Sequence, residues 1–135
     1  MIEITEKPIS SELVINKAKT DGSGCVATYI GLIREYSRGK QVLSVEYKDL
    51  KGKAASRLRE IVGEAKQRWQ LENIAFTHRI GKLRVGDINL VIAVASAHRQ
   101  EGFAACQYII DRFKQIIPTH KTETYQDAST WVEGE

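Results

Sequence analysis

The chain has 135 residues, 42% of them hydrophobic and 27% charged, with a net charge of +3. That length suits one domain with a real core, residues 1–135, and the balance argues against a disordered chain. The small positive excess points only weakly to anionic partners, and its clustering says more: Arg34, Arg38 and Lys40 crowd one stretch, His98 and Arg99 another, Lys114, His120 and Lys121 a third.

In chain order, Met1 to Glu6 reads as a short edge strand ending before Pro8. Ser10 or Ser11 then caps a helix to about Ala18, with Glu12 in its first turn. Asp21 to Gly24 is a turn. Cys25 to Ile33, rich in β-branched and aromatic residues, predicts a buried strand that Ser37-Arg38-Gly39-Lys40 breaks. Val42 to Tyr47 alternates, which predicts a half-buried strand with Leu43, Val45 and Tyr47 on the inner face. From Ala54 to Trp69 the period changes: Ala54, Leu58, Ile61, Ala65 and Trp69 mark an amphipathic helix. Ile74, Phe76, His78 and Ile80 alternate as another strand, and Gly81 to Asp87 is a connection. Ile88 to Ser96 is nearly all apolar and predicts a central strand. The last helix runs from about Gln100 to Ile116, with Phe103, Cys106, Ile110, Phe113 and Ile117 on its apolar face, and Pro118 stops it. His120 to Tyr125 is extended, and Trp131-Val132 anchors the tail. The fold class is α+β, a mixed sheet with about three main helices packed on it.

Two cysteines, with no C-x-x-C and no metal-ligand spacing, fit a reduced cytoplasmic protein, and no metal or cofactor is expected. Cys25 and Cys106 both read as buried, inert thiols. The N-terminus lacks the pattern of a signal peptide, and the longest apolar run, Leu90 to Ala95, is too short to span a bilayer. His78, among apolar neighbours of alternating period, reads as a satisfied core histidine.

Four stretches are able to carry chemistry, and each also has a plain structural explanation. Ser96-Ala97-His98-Arg99 lies where a strand gives way to a helix, a place for a phosphate or carboxylate or equally a solvated strand end. Gly31 sits inside a strand, where it weakens the structure unless something approaches closely; Arg34 follows as an anion contact or a simple strand-end charge. Lys114, near the end of the last helix, suits the helix dipole with or without a function. After Pro118, an extended segment puts Lys121 and Glu123 on one face, as a proton-transfer pair or as an exposed charge pair.

Taken in order, Tyr29-Ile30-Gly31-Leu32-Ile33-Arg34, Val45-Glu46-Tyr47, Arg68-Trp69, His78-Arg79-Ile80-Gly81, Ser96-Ala97-His98-Arg99 with Phe103, and Lys114 with Pro118 to Glu123 and Trp131 resemble the large, catalytic subunit family of molybdopterin synthase. The resemblance covers nearly the whole chain, and the twice-occurring His-Arg is its best fingerprint. It implies an α/β hammerhead-type fold and a sulfurtransferase without a nucleophile of its own. It implies a homodimer in which each copy binds a small ubiquitin-like subunit, a heterotetramer overall. The small subunit's C-terminal Gly-Gly thiocarboxylate supplies sulfur to cyclic pyranopterin monophosphate, giving molybdopterin. Carried over position by position, Lys114 and Lys121 are the catalytic residues. Arg34, His98, Arg99, Lys114, Lys121, Thr122 and Glu123 are the substrate-binding set. The sequence departs from the family pattern at His120, where an aromatic is usual.

A non-catalytic α+β module binding nucleotide or RNA is the competing expectation, and a purely structural dimer partner a third. The basic loop from Arg34 to Lys40 holds a single aromatic, Tyr36, which is thin for stacking on bases, so nucleic acid is not expected as a partner, and the short apolar run leaves no membrane expected either.

Overall fold

The computed structural model describes residues 1–134; the expected domain's last residue, Glu135, lies outside them. Nine strands and three helices alternate among the described residues. A four-stranded sheet has the order β1-β5-β7-β2: β1 (Ile2–Thr5), β5 (Asn73–Arg79), β7 (Ile88–Ser96) and β2 (Cys25–Leu32). β1 runs parallel to β5, and the other pairs are antiparallel, so the sheet is mixed.

The central strand shows how this sheet holds the molecule together. Successive side chains of β7 point to opposite faces. Leu90, Ile92 and Val94 join the core made with α2 (Ala54–Arg68) and α3 (Arg99–Ile116), while Val91, Ala93 and Ala95 pack with Val14 and Ala18 of α1 (Ser11–Ala18). Both faces are therefore covered, which is why this strand reads as a continuous apolar run. Helix α1 starts where Ser10 accepts a hydrogen bond from the Leu13 amide, 3.3 Å, as its N-cap.

A second sheet carries the site. β4 (Lys40–Lys48) pairs along one edge with β8 (His120–Tyr125), which pairs on with β9 (Thr130–Glu133). The other edge of β4 holds β3 (Tyr36–Ser37) and β6 (Gly81–Leu83). Its own small core comprises Ile33, Val42, Val45, Tyr47, Leu83 and Tyr125.

Five expectations change. The 81–87 connection contains β6, because Leu83 has a buried place opposite Val45. Leu43 is exposed rather than inward, because the register between β4 and β8 shifts at Val42/Ser44, and such a bulge reverses the alternation beyond it. Strand β2 is half-buried, not buried: it closes the first sheet at an edge, with Ile30 and Leu32 outside. Phe103 is also outside, 65% exposed, because α3 packs through Gly102, Ala105, Cys106, Ile109 and Phe113 and leaves its neighbour Phe103 off that stripe. Cys106 is buried, and burial pushes its thiol up to about 11, while Cys25 is only partly buried.

His78 sits fully buried between the two sheets and α3. Its Nδ1–H donates to the Asn89 carbonyl, 2.9 Å, and Nε2 accepts from the Thr119 hydroxyl, 3.1 Å. Both ring nitrogens are thus satisfied, which fits the core role expected of it. No helix of the described residues is long and apolar enough to cross a membrane.

Candidate functional site

A cavity of about 590 Å³ opens between the two sheets and the end of α3. Four of the expected site residues line it: Arg34, Lys114, Lys121 and Glu123. Each is placed for a local reason. Arg34 follows Ile33, whose N–H donates to Asp87 at 3.0 Å and whose carbonyl accepts from the Gly86 amide at 2.8 Å, so the exit of β2 is anchored. Lys114 lies in the last turn of α3, next to Phe113, whose ring packs on His78 and Phe76. That helix stops at Ile117, in the left-handed region at φ 49, immediately before Pro118. Lys121 and Glu123 stand on alternate positions of β8, opposite Tyr47 and Val45 of β4. The same alternation sends Thr122 to the other face of β8, and it does not line the cavity.

Glu123 is 5% exposed and well held. Its Oε1 accepts from Ser37 at 2.9 Å and from Tyr125 at 2.7 Å, and Lys121 lies 3.4 Å from Oε2. Burial alone raises its pKa, but these hydrogen bonds and the lysine charge outweigh burial and leave the carboxyl below its ordinary value. Lys121 also faces Glu133 at 3.9 Å, so two carboxylates flank it. Lys114 has a different setting. Its surface is open to solvent, yet the cleft walls crowd its ammonium. That crowding, with the charges of Lys121 and Arg34, holds its pKa below 10.5 against the opposing pull of Glu133. No carboxylate pairs with Arg34 or Lys114 among the described residues. The cleft is therefore a site for anions with a paired lysine and an unpaired one.

His98 and Arg99 do not reach this cleft within one chain. They line a separate recess with Gly24, Cys25 and Ala97 at the start of α3. Leu90, which lines the cleft, and Ser96, which leads into His98, lie at opposite ends of β7, about 20 Å apart at a strand's rise per residue.

Sequence inspection did not pick out several lining residues. Arg38 stands in a tight hairpin turn with Gly39, both at positive φ, and its guanidinium lies 3.1 Å from the centre of the Trp131 ring. A non-glycine residue at positive φ is a local rule broken, and here it is broken at the cleft. Tyr47, Asn89 and Glu133 also line the cavity. Of these, Asn89 left a trace in the sequence as a lone amide at the edge of an apolar run and Tyr47 as an inner-face position of an alternating strand, while Glu133 left none.

The glycine inside β2 has its explanation here. A Cβ on Gly31 would stand 2.6 Å from Asn89 Oδ1 and 3.3 Å from the Tyr29 ring. Gly31→Ala is expected to destabilise the protein by about 1–3 kcal/mol through overpacking. Equilibrium denaturation measures it, and an unchanged midpoint would mean that Asn89 moves aside freely.

Among the described residues, no group of three or more His, Cys, Asp or Glu is placed to hold a metal ion. Comparison with known proteins gives consistent matches. The sequence pattern of the family described as MoaE protein matches residues 4–116. The chain is 38% identical over 130 residues to the molybdopterin synthase catalytic subunit of Bacillus subtilis (strain 168), covering 96% of this chain and 83% of that protein. It is 37% identical over 129 residues to the corresponding subunit of Halalkalibacterium halodurans, with 96% and 83% covered. Its fold matches the X-ray crystal structure of molybdopterin synthase from Staphylococcus aureus with a TM-score of 0.90 at 32% identity, over 98% of this chain and 96% of that one.

Proposed function

The chain belongs to the MoaE protein family, and on that premise we propose that its cleft is where a partner's sulfur-bearing tail meets a phosphorylated pterin. It is an enzyme, with the activity of a molybdopterin synthase catalytic subunit. The substrate is cyclic pyranopterin monophosphate. Each of the two sulfurs comes from a separate C-terminal Gly-Gly thiocarboxylate of a small ubiquitin-like subunit, which is left as a carboxylate once its sulfur is transferred and the acyl bond hydrolysed, and residues 1–135 act as one domain in the cytoplasm.

One observation carries this reading. A cleft of about 590 Å³ gathers Arg34, Lys114 and Lys121, while Cys25 and Cys106 both lie elsewhere. The volume suits a small ligand and a narrow tail. The cations suit a phosphate and a thiocarboxylate. A site with no cysteine needs its sulfur delivered. A nucleic-acid module would interleave aromatics among its basic residues, whereas Trp131 here is covered by Arg38.

The two lysines take different parts. Lys121, between Glu123 and Glu133, is the fixed cation that stabilises charge as sulfur adds. Lys114, with its lowered pKa and no carboxylate partner among the described residues, moves the proton. Glu123 fixes Lys121, and Thr122 supports the strand from its far face.

The distance between the cleft and His98-Arg99 acquires a meaning in a homodimer. We place the pair of one copy over the cleft of the other, so that each substrate phosphate is held by both chains, with one small subunit on each cleft in a heterotetramer. Arg99→Ala and Lys121→Ala are each expected to be nearly inactive alone. Mixed and allowed to exchange subunits, they should recover activity, because hybrid dimers carry one site with neither substitution. A mixture as inactive as its parents, with exchange demonstrated, would contradict the shared site.

A further inference from the structure

We propose that Arg38, laid flat on Trp131 at the rim of the cleft, is a fork that grips an oxyanion of the ligand through two parallel N–H bonds. The proposal rests on the cleft being the substrate site and adds a binding residue to it.

The turn alone gives no reason for an arginine here. Ser37 pairs with Lys40, so Arg38 and Gly39 are the two loop residues of the hairpin, at φ 55 and 74. A two-residue turn with both φ values positive favours asparagine or glycine at the place Arg38 takes, because a Cβ is crowded in that conformation. The hairpin is fixed on either side of it. Ser37 Oγ donates to Glu123 at 2.9 Å, and Lys40 Nζ lies 3.1 Å from Asp127 and donates to Ser129 at 2.9 Å. These contacts hold the turn without using the Arg38 side chain.

That residue is exposed, and it lines the cleft together with Trp131. Its guanidinium carbon stands 3.1 Å from the centre of the Trp131 ring. Stacking occupies one face of the guanidinium, leaves the N–H donors along its edge free and holds a long side chain in one orientation. No carboxylate pairs with it among the described residues. The carboxylates of this wall are engaged elsewhere, Glu123 by Ser37, Tyr125 and Lys121, and Asp127 by Lys40. On β9, Trp131 stands opposite Glu123 and Glu133 opposite Lys121, so the platform of the fork lies about 7 Å along the strand from the residue that flanks Lys121. The cleft thus offers two cationic positions. The planar fork differs from an ammonium in favouring two oxygens side by side.

Two groups of the proposed reaction present such oxygens, the phosphate of the pterin and the carboxylate end of the partner's tail. Two pairs of probes separate them: 6-hydroxymethylpterin phosphate against 6-hydroxymethylpterin, and a hexapeptide ending in Gly-Gly with a free carboxylate against its C-terminal amide. Affinities are measured by titration calorimetry on the whole chain, as wild type, Arg38→Asn and Arg38→Lys. Wild type should prefer the charged member of each pair. In at least one pair Arg38→Asn should cut that preference by about tenfold. Asparagine suits the turn, so this variant should fold, and denaturation checks it. Arg38→Lys keeps the charge and loses the fork, so the preference should fall nearly as far. The pair that responds names the source. A wild type without preference in either pair, or preferences within twofold of wild type in Arg38→Asn for both pairs, would overturn the proposal. Full preference in Arg38→Lys would make Arg38 a plain charge and overturn the fork. These failures leave sulfur transfer by the wild type standing, whereas failure of the proposed function would show as no transfer in the wild type itself.

Discussion

Replacing either cleft lysine with alanine is expected to lower sulfur transfer by about 10²–10⁴-fold, the range for losing a positioned proton-transfer or charge-stabilising group. The two losses should differ in kind. Lys121→Ala removes the cation that Glu123 and Glu133 flank and leaves a carboxylate only 5% exposed without its counter-charge. The loss should therefore appear in the chemical step together with a small drop in stability, since the hydrogen bonds from Ser37 and Tyr125 remain. Lys114→Ala removes a side chain that is open to solvent and unpaired among the described residues, so stability should hold. Its signature is pH dependence. A lysine acts as a base only when it has lost its proton, so the rate should rise with pH along a limb centred below 10.5, the direction in which the cleft moves Lys114. Single-turnover rates across pH measure this. Wild-type rates in both variants, or the same rising limb without Lys114, would show the assignments to be mistaken.

Acid sensitivity should trace to a residue outside the cleft wall. Burial, helped by the charge of Lys114, lowers the His78 pKa from 6.5 to about 4, against the opposing hydrogen bond to Asn89 and the charge of Asp49. The unfolded chain therefore takes up a proton below about pH 6.5, while the folded chain resists it until about pH 4. The stability carried by neutral His78 is complete above the unfolded pKa and is lost as pH falls towards the folded one, by about 3 kcal/mol in all. Urea denaturation between pH 6.5 and 5 isolates the effect, because carboxylates contribute little there. His78→Gln should be less stable at neutral pH and flatter across that window. A slope equal to wild type would place the sensitivity elsewhere.

How much of this was legible in the sequence depended on how local the cause was. The Ser10 cap, the α2 stripe, the end of α3 at Pro118 and the central strand β7 follow from neighbours a few residues apart, and they stand where periodicity and capping put them. Leu43 and Asn89 both sit where a register shift breaks the alternation, and a bulge depends on the partner strand, which no local pattern reveals. Strand β6 is short and owes its existence to the open edge of β4. Phe103 fits an apolar spacing as well as its neighbours do, and only the packing of α3 decides which stripe is buried.

The candidate site divides in the same way. Lys121 and Glu123 fall together because two residues of one strand share a face. Arg34 and Lys114 join them only through the crossing of β2 and α3, which ordered resemblance anticipates and spacing does not. Thr122 was carried into the set by its place between them, and alternation alone sends it to the other face. His98 and Arg99 lie far along β7, and whether they belong to the same chemistry is a property of two chains, not one. Glu133 left no sign in the sequence, since a carboxylate near a chain end is ordinary until β9 is seen to lay it against Lys121.

The central claim is that this cleft moves sulfur from a partner's tail to a phosphorylated pterin. The direct measurement mixes the purified chain with a thiocarboxylated small subunit and cyclic pyranopterin monophosphate and assays for the dithiolene. The account predicts molybdopterin, formed only with all three present and strongly reduced with Lys121→Ala. A stable complex of the two proteins that binds the pterin and yields no dithiolene would contradict it.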